Sequence, residues 1–276
     1  ITLAVLLGPY IWTVDATKID IRNKDMRPIY VALWDGTAKV GWNKPLGSDQ
    51  LGRDILAQLI AGGRASMAVG WAAMVLALLI GTSVGVLAGY FRMLDFWLMR
   101  FTDLVLSLPI LPILLVAVTL FRQPLNATFG PEGGMFILIV SVVGLTSWMQ
   151  TARIVRGDIL ALKEREFILA ARSIGTTPAK IIRRHLLPNV ISPIMVSATL
   201  GLATAIITES ALSFLGVGFP SDFPTWGKLL ADAVQRMEQY PERVVLPGIL
   251  ISLTVLGVNY LGDGLRDALD PRIRGR

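Results

Sequence analysis

The chain has 276 residues, 53% of them hydrophobic and only 17% charged, with a mean hydropathy of +0.60 and a formal net charge of +6. A soluble domain spreads charge over about a quarter of its residues; here the charges cluster and leave long apolar runs, as in a chain that crosses a bilayer. With no cysteine and one histidine, His185, disulfides, thiolate metal sites and cysteine nucleophiles are excluded, and neither a histidine metal site nor a Ser-His-Asp triad is expected.

The chain opens at Ile1 within an apolar stretch that reaches Trp12. A helix of that length covers about 18 Å, against about 30 Å of hydrocarbon. Residues 1–12 are therefore expected to be the remnant of a first transmembrane helix that starts before this numbering. Residues 13–65 read as an outer loop. No clear period marks 13–44, whereas Leu51, Ile55 and Leu59, flanked by Leu56 and Ile60, predict an amphipathic helix over 49–61.

Five apolar segments follow, over about 66–90, 102–121, 135–155, 190–215 and 244–261, each near the ~20 residues that a membrane helix needs. In the first, Gly81, Gly85 and Gly89 recur at every fourth position and so share one helix face. Small residues at that spacing admit a close neighbour, within the subunit or from another one. Asp103 reads as a cap at the start of the second segment, which Pro109 and Pro112 are expected to kink. Thr146, Ser147, Thr204 and Thr208 are polar positions offered for a solute path. Glu209 lies well inside the fourth segment, and an intramembrane carboxylate is costly enough to mark a functional site by default. Gate or pathway, proton carrier, and hydrogen bonding to nearby Ser and Thr groups all remain open for it. A second amphipathic helix is predicted over 226–237 from Leu229, Leu230, Ala233, Val234 and Met237. Asp263, between two glycines, would need Asp103 as its mate to form a protease-like aspartate pair.

Charge sets the orientation. Between the third and fourth segments stand Arg153, Arg156, Lys163, Arg165, Arg172, Lys180, Arg183 and Arg184 against Asp158, Glu164 and Glu166. Arg266, Arg272, Arg274 and Arg276 make the tail basic, while 220–243 is mixed. The positive-inside rule places the basic loops and the C-terminus in the cytoplasm. That distribution speaks for topology, not for nucleic-acid binding.

The loop over 156–189 carries the most information. In EREFILAARSIGTTPAKIIRRHLLPN, Phe167, Ala170, Ala171 and Ile174 follow helical spacing, and Gly175 supplies a stop. Thr177-Pro178 reads as an N-cap and first-turn proline, opening a second helix through His185. A short basic helix with a small, close-approach Ala170/Ala171 surface suits docking in another protein's groove. It equally suits a solvated loop drawn to anionic headgroups.

The same stretch resembles the EAA loop of ABC-importer permeases, with two alanines, a glycine four positions after the second, and Leu187-Pro188 closing the motif. The motif's glutamate position holds Leu169 and its isoleucine position His185, so Glu166 is the acidic residue on offer. PLGSDQLGRDILAQLIAGGRAS (45–66), ITESALSFLGVGFPSDFPTWG (207–227) and LGDGLRDALDPR (261–272) resemble the second, C-type permease of dipeptide and oligopeptide importers. The resemblance implies an all-α, polytopic bundle with the type I ABC-importer permease fold, of six spans with the first truncated. The transmembrane domain is then 66–272 and the cytoplasmic tail 273–276. It also implies a bacterial cytoplasmic (inner) membrane protein, paired with a sister permease in a heterodimer. Two cytoplasmic ATPase subunits and an extracytoplasmic substrate-binding protein complete the expected assembly. Glu166, Ala170, Ala171, Gly175, Leu187 and Pro188 would couple the chain to an ATPase. The cargo would be di- or oligopeptides, with nickel, glutathione or a peptide antibiotic as alternatives on the same machinery. No P-loop is present in the sequence, so ATP and Mg would be bound by the partner ATPases, with no cofactor, metal or catalytic residue on this chain. The rival class is a proton-coupled secondary transporter centred on Glu209.

Overall fold

The structure is a computed structural model that describes residues 1–36, 42–220 and 222–269. The predicted tail, 273–276, and the end of the last block, 270–272, lie outside the described residues, as do 37–41 of the outer loop. The described residues are helical, with one isolated antiparallel bridge between Ser48 and Asp54. Helices α1 (Thr2–Ile11), α2 (Ile29–Asp35), α3 (Ile55–Tyr90), α4 (Arg92–Ser107) and α5 (Ile110–Leu162) come first. Then come α6 (Glu166–Ser173), α7 (Pro178–Ile181), a π-helix (Ile182–Leu186), α8 (Leu187–Asn189), α9 (Ile191–Phe214), α10 (Trp226–Val234) and α11 (Pro241–Leu269). Four of these, α3, α5, α9 and α11, are long and apolar enough to cross a membrane.

Helix α5 is two arms. Gly130 (φ 78°, ψ 165°) interrupts it, a conformation open to glycine, and Pro131 follows. With that break, the five predicted segments each find a helix. The second is displaced, however. The structure ends α4 at Ser107 and starts a new helix at Ile110, so the predicted segment is divided between the end of α4 and the opening of α5. Leu108 precedes a proline and is held extended at ψ 141°. Pro109 occupies the N-cap of α5 and Pro112 its first turn, where no backbone donor is needed, so both start the helix instead of kinking it.

The chain divides into two compact units. The first comprises Ile1–Gly70, Val118–Ile139 and Ile206–Val255. Its outer loop is more ordered than its sequence suggests, with a 3-10 turn at Ile21–Asn23 and α2. The predicted amphipathic helix over 49–61 is corrected. Residues 49–54 form a tight turn, and 55–61 are the opening of α3 itself. Asp49 organises the turn by accepting from the backbone of Leu51 (2.9 Å) and Arg53 (2.8 Å) and from the Arg53 guanidinium (2.6 Å). Asp54 caps α3, accepting from the Ala57 N–H at 3.1 Å and the Trp12 indole at 3.2 Å. Burial pushes its carboxyl above the usual range, against the pull of those two donors. Val5, Ile55, Leu59, Met67 and Trp226 form the apolar core here.

The second unit comprises Trp71–Ala117, Val140–Ala205 and Leu256–Arg276. Gly81, Gly85 and Gly89 lie against the second arm of α5. An added Cβ would fall 2.6 Å from the Trp148 carbonyl oxygen, 2.6 Å from that of Ala152 and 2.7 Å from Ile159. Close backbone approach of this kind is how helices gain contact in lipid, where no hydrophobic force drives them together. Helix α4 is fastened to the same arm by ion pairs. Arg156 grips Asp95 through Nε at 2.5 Å and Nη2 at 2.7 Å, and Arg153 meets Asp103 at 2.5 Å. Asp103 is thus an ion-pair partner near the C-terminal end of α4, which corrects its reading as a cap. The hydrogen bond from Arg156 holds the Asp95 carboxyl below its ordinary range.

Candidate functional site

Two sets of predicted residues can be followed from local structure upward. The first is the hairpin of the second unit. Helix α6 begins after Arg165, whose extended backbone (ψ 147°) sets the entry, and Glu166 stands in its first turn. It ends at Gly175 (φ 77°), where the Gly175 N–H reaches the Arg172 carbonyl at 2.9 Å and the Thr176 N–H that of Ala171 at 3.1 Å. This is the bonding of a glycine-terminated helix. Arg172 in the last turn complements the helix dipole and stacks 5.3 Å over the Tyr90 ring.

Only Ile168 and Ala171 of α6 are buried. They join Val86, Val155, Ile159, Ile181, Leu186 and Val190 in one apolar cluster. Phe167, Leu169, Ala170 and Ile174 face outward, Ile174 being 83% exposed. The predicted Ala170/Ala171 surface is therefore divided, Ala171 anchoring the helix and Ala170 lying outside. The stripe predicted from Phe167, Ala170 and Ile174 is the outer one. Ile168 went unnoticed in the sequence, although its three-residue spacing to Ala171 is the signal that finds it. Glu166, Gly175 and Pro188 are exposed, and Leu187 packs at the edge of the cluster.

Beyond Gly175 the predicted second helix is present but irregular. Thr177 caps with its backbone carbonyl only, accepting from Lys180 and Ile181 at 3.0 Å each. The π-helix then follows, and its wider turn lets Ile181 and Leu186, five residues apart, both enter the cluster. His185 lies 6.4 Å from the Phe167 ring, centroid to centroid.

The second set surrounds Glu209, in the first unit. Glu209 is fully buried in α9, and Ser213 donates to its Oε1 at 2.8 Å. The hydroxyls of Ser66, Thr225 and Ser210 are its other polar neighbours. Its Oε2 and the Ser210 hydroxyl make no hydrogen bond among the described residues. Close by, α10 opens with Thr225 as a true N-cap, its hydroxyl accepting from the Lys228 N–H at 3.3 Å. Helix α10 stops at Val234, shorter than the predicted 226–237. Trp226 is fully buried and donates from its indole to the Leu59 carbonyl at 2.9 Å.

The remaining candidates are dispersed. Thr146 and Thr204 bond to carbonyls of their own helices, at 2.8 Å and 2.9 Å. Asp103 is engaged by Arg153, so the aspartate pair with Asp263 has no support. Among the described residues, no group of three or more His, Asp or Glu could hold a metal ion.

A helical chain with apolar spans, an outward-facing hairpin helix and a buried polar junction has well-defined relatives. The family described as "binding-protein-dependent transport system inner membrane component" matches residues 78–275. The chain belongs to this family. The dipeptide transport system permease protein DppC of Alkalihalophilus pseudofirmus is 40% identical over 229 residues, 83% of this chain and 72% of that protein. The oligopeptide transport system permease protein OppC of Bacillus subtilis is 35% identical over 276 residues, 99% of this chain and 83% of that protein. The glutathione transport system permease protein GsiD of Pectobacterium atrosepticum is 38% identical over 248 residues, 89% and 77% of the two chains. Among solved structures, an inward-facing form of the MetNI methionine ABC transporter aligns with a TM-score of 0.62 over 77% of this chain and 96% of that one, at 19% identity. The fold of this permease component is therefore the type I importer permease fold expected from its sequence.

Proposed function

We propose that the chain is the permease subunit of an ATP-driven importer of di- or oligopeptides and forms half of the pathway with a sister permease. Helix α6 is the coupling element, seated in a cleft of a cytoplasmic ATPase subunit. Glu166, Ala170, Gly175 and Pro188 contact that subunit, whereas Ala171 and Leu187 fix the hairpin to the spans. The observation that carries this reading is the outward apolar edge of Phe167, Ala170 and Ile174 on a helix pinned from behind by Ile168 and Ala171. A push on such a helix passes directly to the cluster that contains Val86 of α3 and Val155 of α5. Peptide cargo is supported by the relatives named for dipeptide and oligopeptide transport.

The ATPase and Mg-ATP reside in partner subunits. Cargo arrives from an extracytoplasmic binding protein, and the basic loops and C-terminus lie in the cytoplasm, as the charge distribution favours. Glutathione is a second cargo reading, favoured by the 38% identity to a glutathione permease. Because the chain has no cysteine, Ala170→Cys introduces a single thiol. In the assembled transporter it should cross-link to a co-purifying ATPase subunit and resist reagents applied from outside. Labelling from the external face, or uptake by the purified chain alone that collapses with a protonophore, would sink the proposal.

A further inference from the structure

Glu209 sits where two separate stretches of the sequence meet. Ser66 closes the 45–66 block, and Glu209, Ser210, Ser213, Thr225 and Trp226 all belong to the 207–227 block. In the structure the first turn of α10 lies directly on α9 and α3. A Cβ on Gly227 would fall 2.3 Å from the Ser210 carbonyl oxygen, and one on Gly62 would fall 3.2 Å from the Thr225 Cα. No side chain separates these backbones. Trp226 plugs the junction, leaving no room for a side chain at Gly63, whose Cβ would meet the indole at 2.6 Å.

The polar bonding at this junction has a direction. The Trp226 N–H donates to the Ser66 hydroxyl at 3.3 Å, and the Lys228 N–H donates to the Thr225 hydroxyl at 3.3 Å. A hydroxyl that accepts such a bond still has its own hydrogen to give. Both hydroxyls stand beside the Glu209 carboxyl group, whose Oε1 accepts from Ser213 and whose Oε2 has no hydrogen-bond partner among the described residues. Two backbone donors at the start of α10, which a helix cannot satisfy internally, thus end on hydroxyls that neighbour one buried acceptor. Full burial keeps this acceptor away from any passing solute.

We infer that Glu209 is a positioning residue that fastens the first turn of α10 to α9 and α3, so that the segment between α9 and α11 moves with the membrane helices during transport. It does not touch cargo. What it needs is an acceptor of glutamate's shape, not a negative charge. The inference rests on the transport reading above, and its test separates the two.

The assembled transporter is reconstituted with its binding protein, and ATPase activity is measured with and without cargo. Glu209→Gln should keep cargo-stimulated activity within about twofold of wild type, because the amide oxygen still accepts. Glu209→Ala should lose the stimulated part at least tenfold, a loss of about 1.4 kcal/mol or more in coupling, while basal ATPase and assembly stay unchanged. Thr225→Val should act in the same direction, with the double variant no worse than the single ones. If Glu209→Ala fails to assemble, Thr225→Val and Ser213→Ala carry the measurement instead. The inference is overturned if Glu209→Gln is as defective as Glu209→Ala in an intact complex, since a charge would then be required. It is also overturned if the alanine and valine variants respond to cargo normally. A wild-type chain that captures no ATPase would instead remove the transport reading itself.

Discussion

Helices α6 and α10 are both short, and both are seated on long apolar helices, yet they are built in opposite ways. Helix α6 is held by two side chains, Ile168 and Ala171, and leaves a row of apolar residues outside. Helix α10 sinks the start of its first turn, with Trp226 fully buried, Gly227 against the α9 backbone and a true side-chain cap at Thr225. A helix that completes its bonding within the chain is part of the machine's frame. One that keeps an apolar edge exposed is finished by something else. The contrast shows where this chain ends as a structure and where it begins as a component.

The sharpest way to break the contrast is at Trp226. Trp226→Ala removes the plug and the bond to the Leu59 carbonyl and should destabilise the fold by about 3–5 kcal/mol. The expected outcome is loss of the monodisperse peak when the detergent-solubilised chain is run on a sizing column. Next come Ile168→Ala and Ile174→Ala, chemically the same change on opposite edges of the α6 hairpin. The first should cost about 2–4 kcal/mol of stability. The second should leave the melting temperature within about 1 °C, consistent with a surface change of a few tenths of a kcal/mol, and should instead reduce ATP-dependent uptake. Equal melting temperatures for the two would erase the distinction between anchor and edge. Gly85→Ala tests the frame elsewhere, since its Cβ would fall 2.6 Å from the Ala152 carbonyl oxygen. It should cost about 1–3 kcal/mol through forced separation of α3 from α5, read as a lower melting temperature.

The smallest effect is expected at the Asp95–Arg156 fork, whose partners are partly exposed. Asp95→Asn should cost about 1 kcal/mol at neutral pH. Because the folded-state pKa of Asp95 lies below its unfolded value, the stability it supplies is complete above about pH 4. It is lost as the pH falls through the lower folded value. Melting curves of wild type and Asp95→Asn should therefore converge on acidification and separate above that range.

Much of this architecture is legible in the residues. Period and length are enough to find the apolar segments of α3, α5, α9 and α11, because a helix in lipid must satisfy its own backbone and be long enough to cross. Gly175 announces the end of α6 because only a residue without a Cβ takes that turn cheaply. What resists reading is whatever long-range contact decides. Helix α4 merges into the second span by hydropathy, and the Ser107-Leu108-Pro109 break is the one local clue that separates them. In α6 two apolar stripes compete, at 167/170/174 and at 168/171, and the cluster built from α3, α5 and the π-helix chooses the second. Glu209 is conspicuous as a buried acid, but its neighbours Ser66 and Thr225 stand 143 and 16 positions away in the sequence, so only folding shows what it holds.

The π-helix between α7 and α8 gives the hairpin a sensitivity to residue count. Residues five apart on a regular α-helix diverge by about 140°, so Ile181 and Leu186 share a face only while the wider turn persists. Deleting one residue from 182–185 would leave the two only four apart, about 40° on ordinary winding, so the shared face would survive without the wider turn. Inserting one would set them six apart, about 120° from each other on an ordinary helix. Ile181 would rotate out of its apolar bed, and the edge carrying Phe167 and Ile174 would point elsewhere. Point substitutions here alter only what a side chain touches, whereas an insertion re-aims the whole lever.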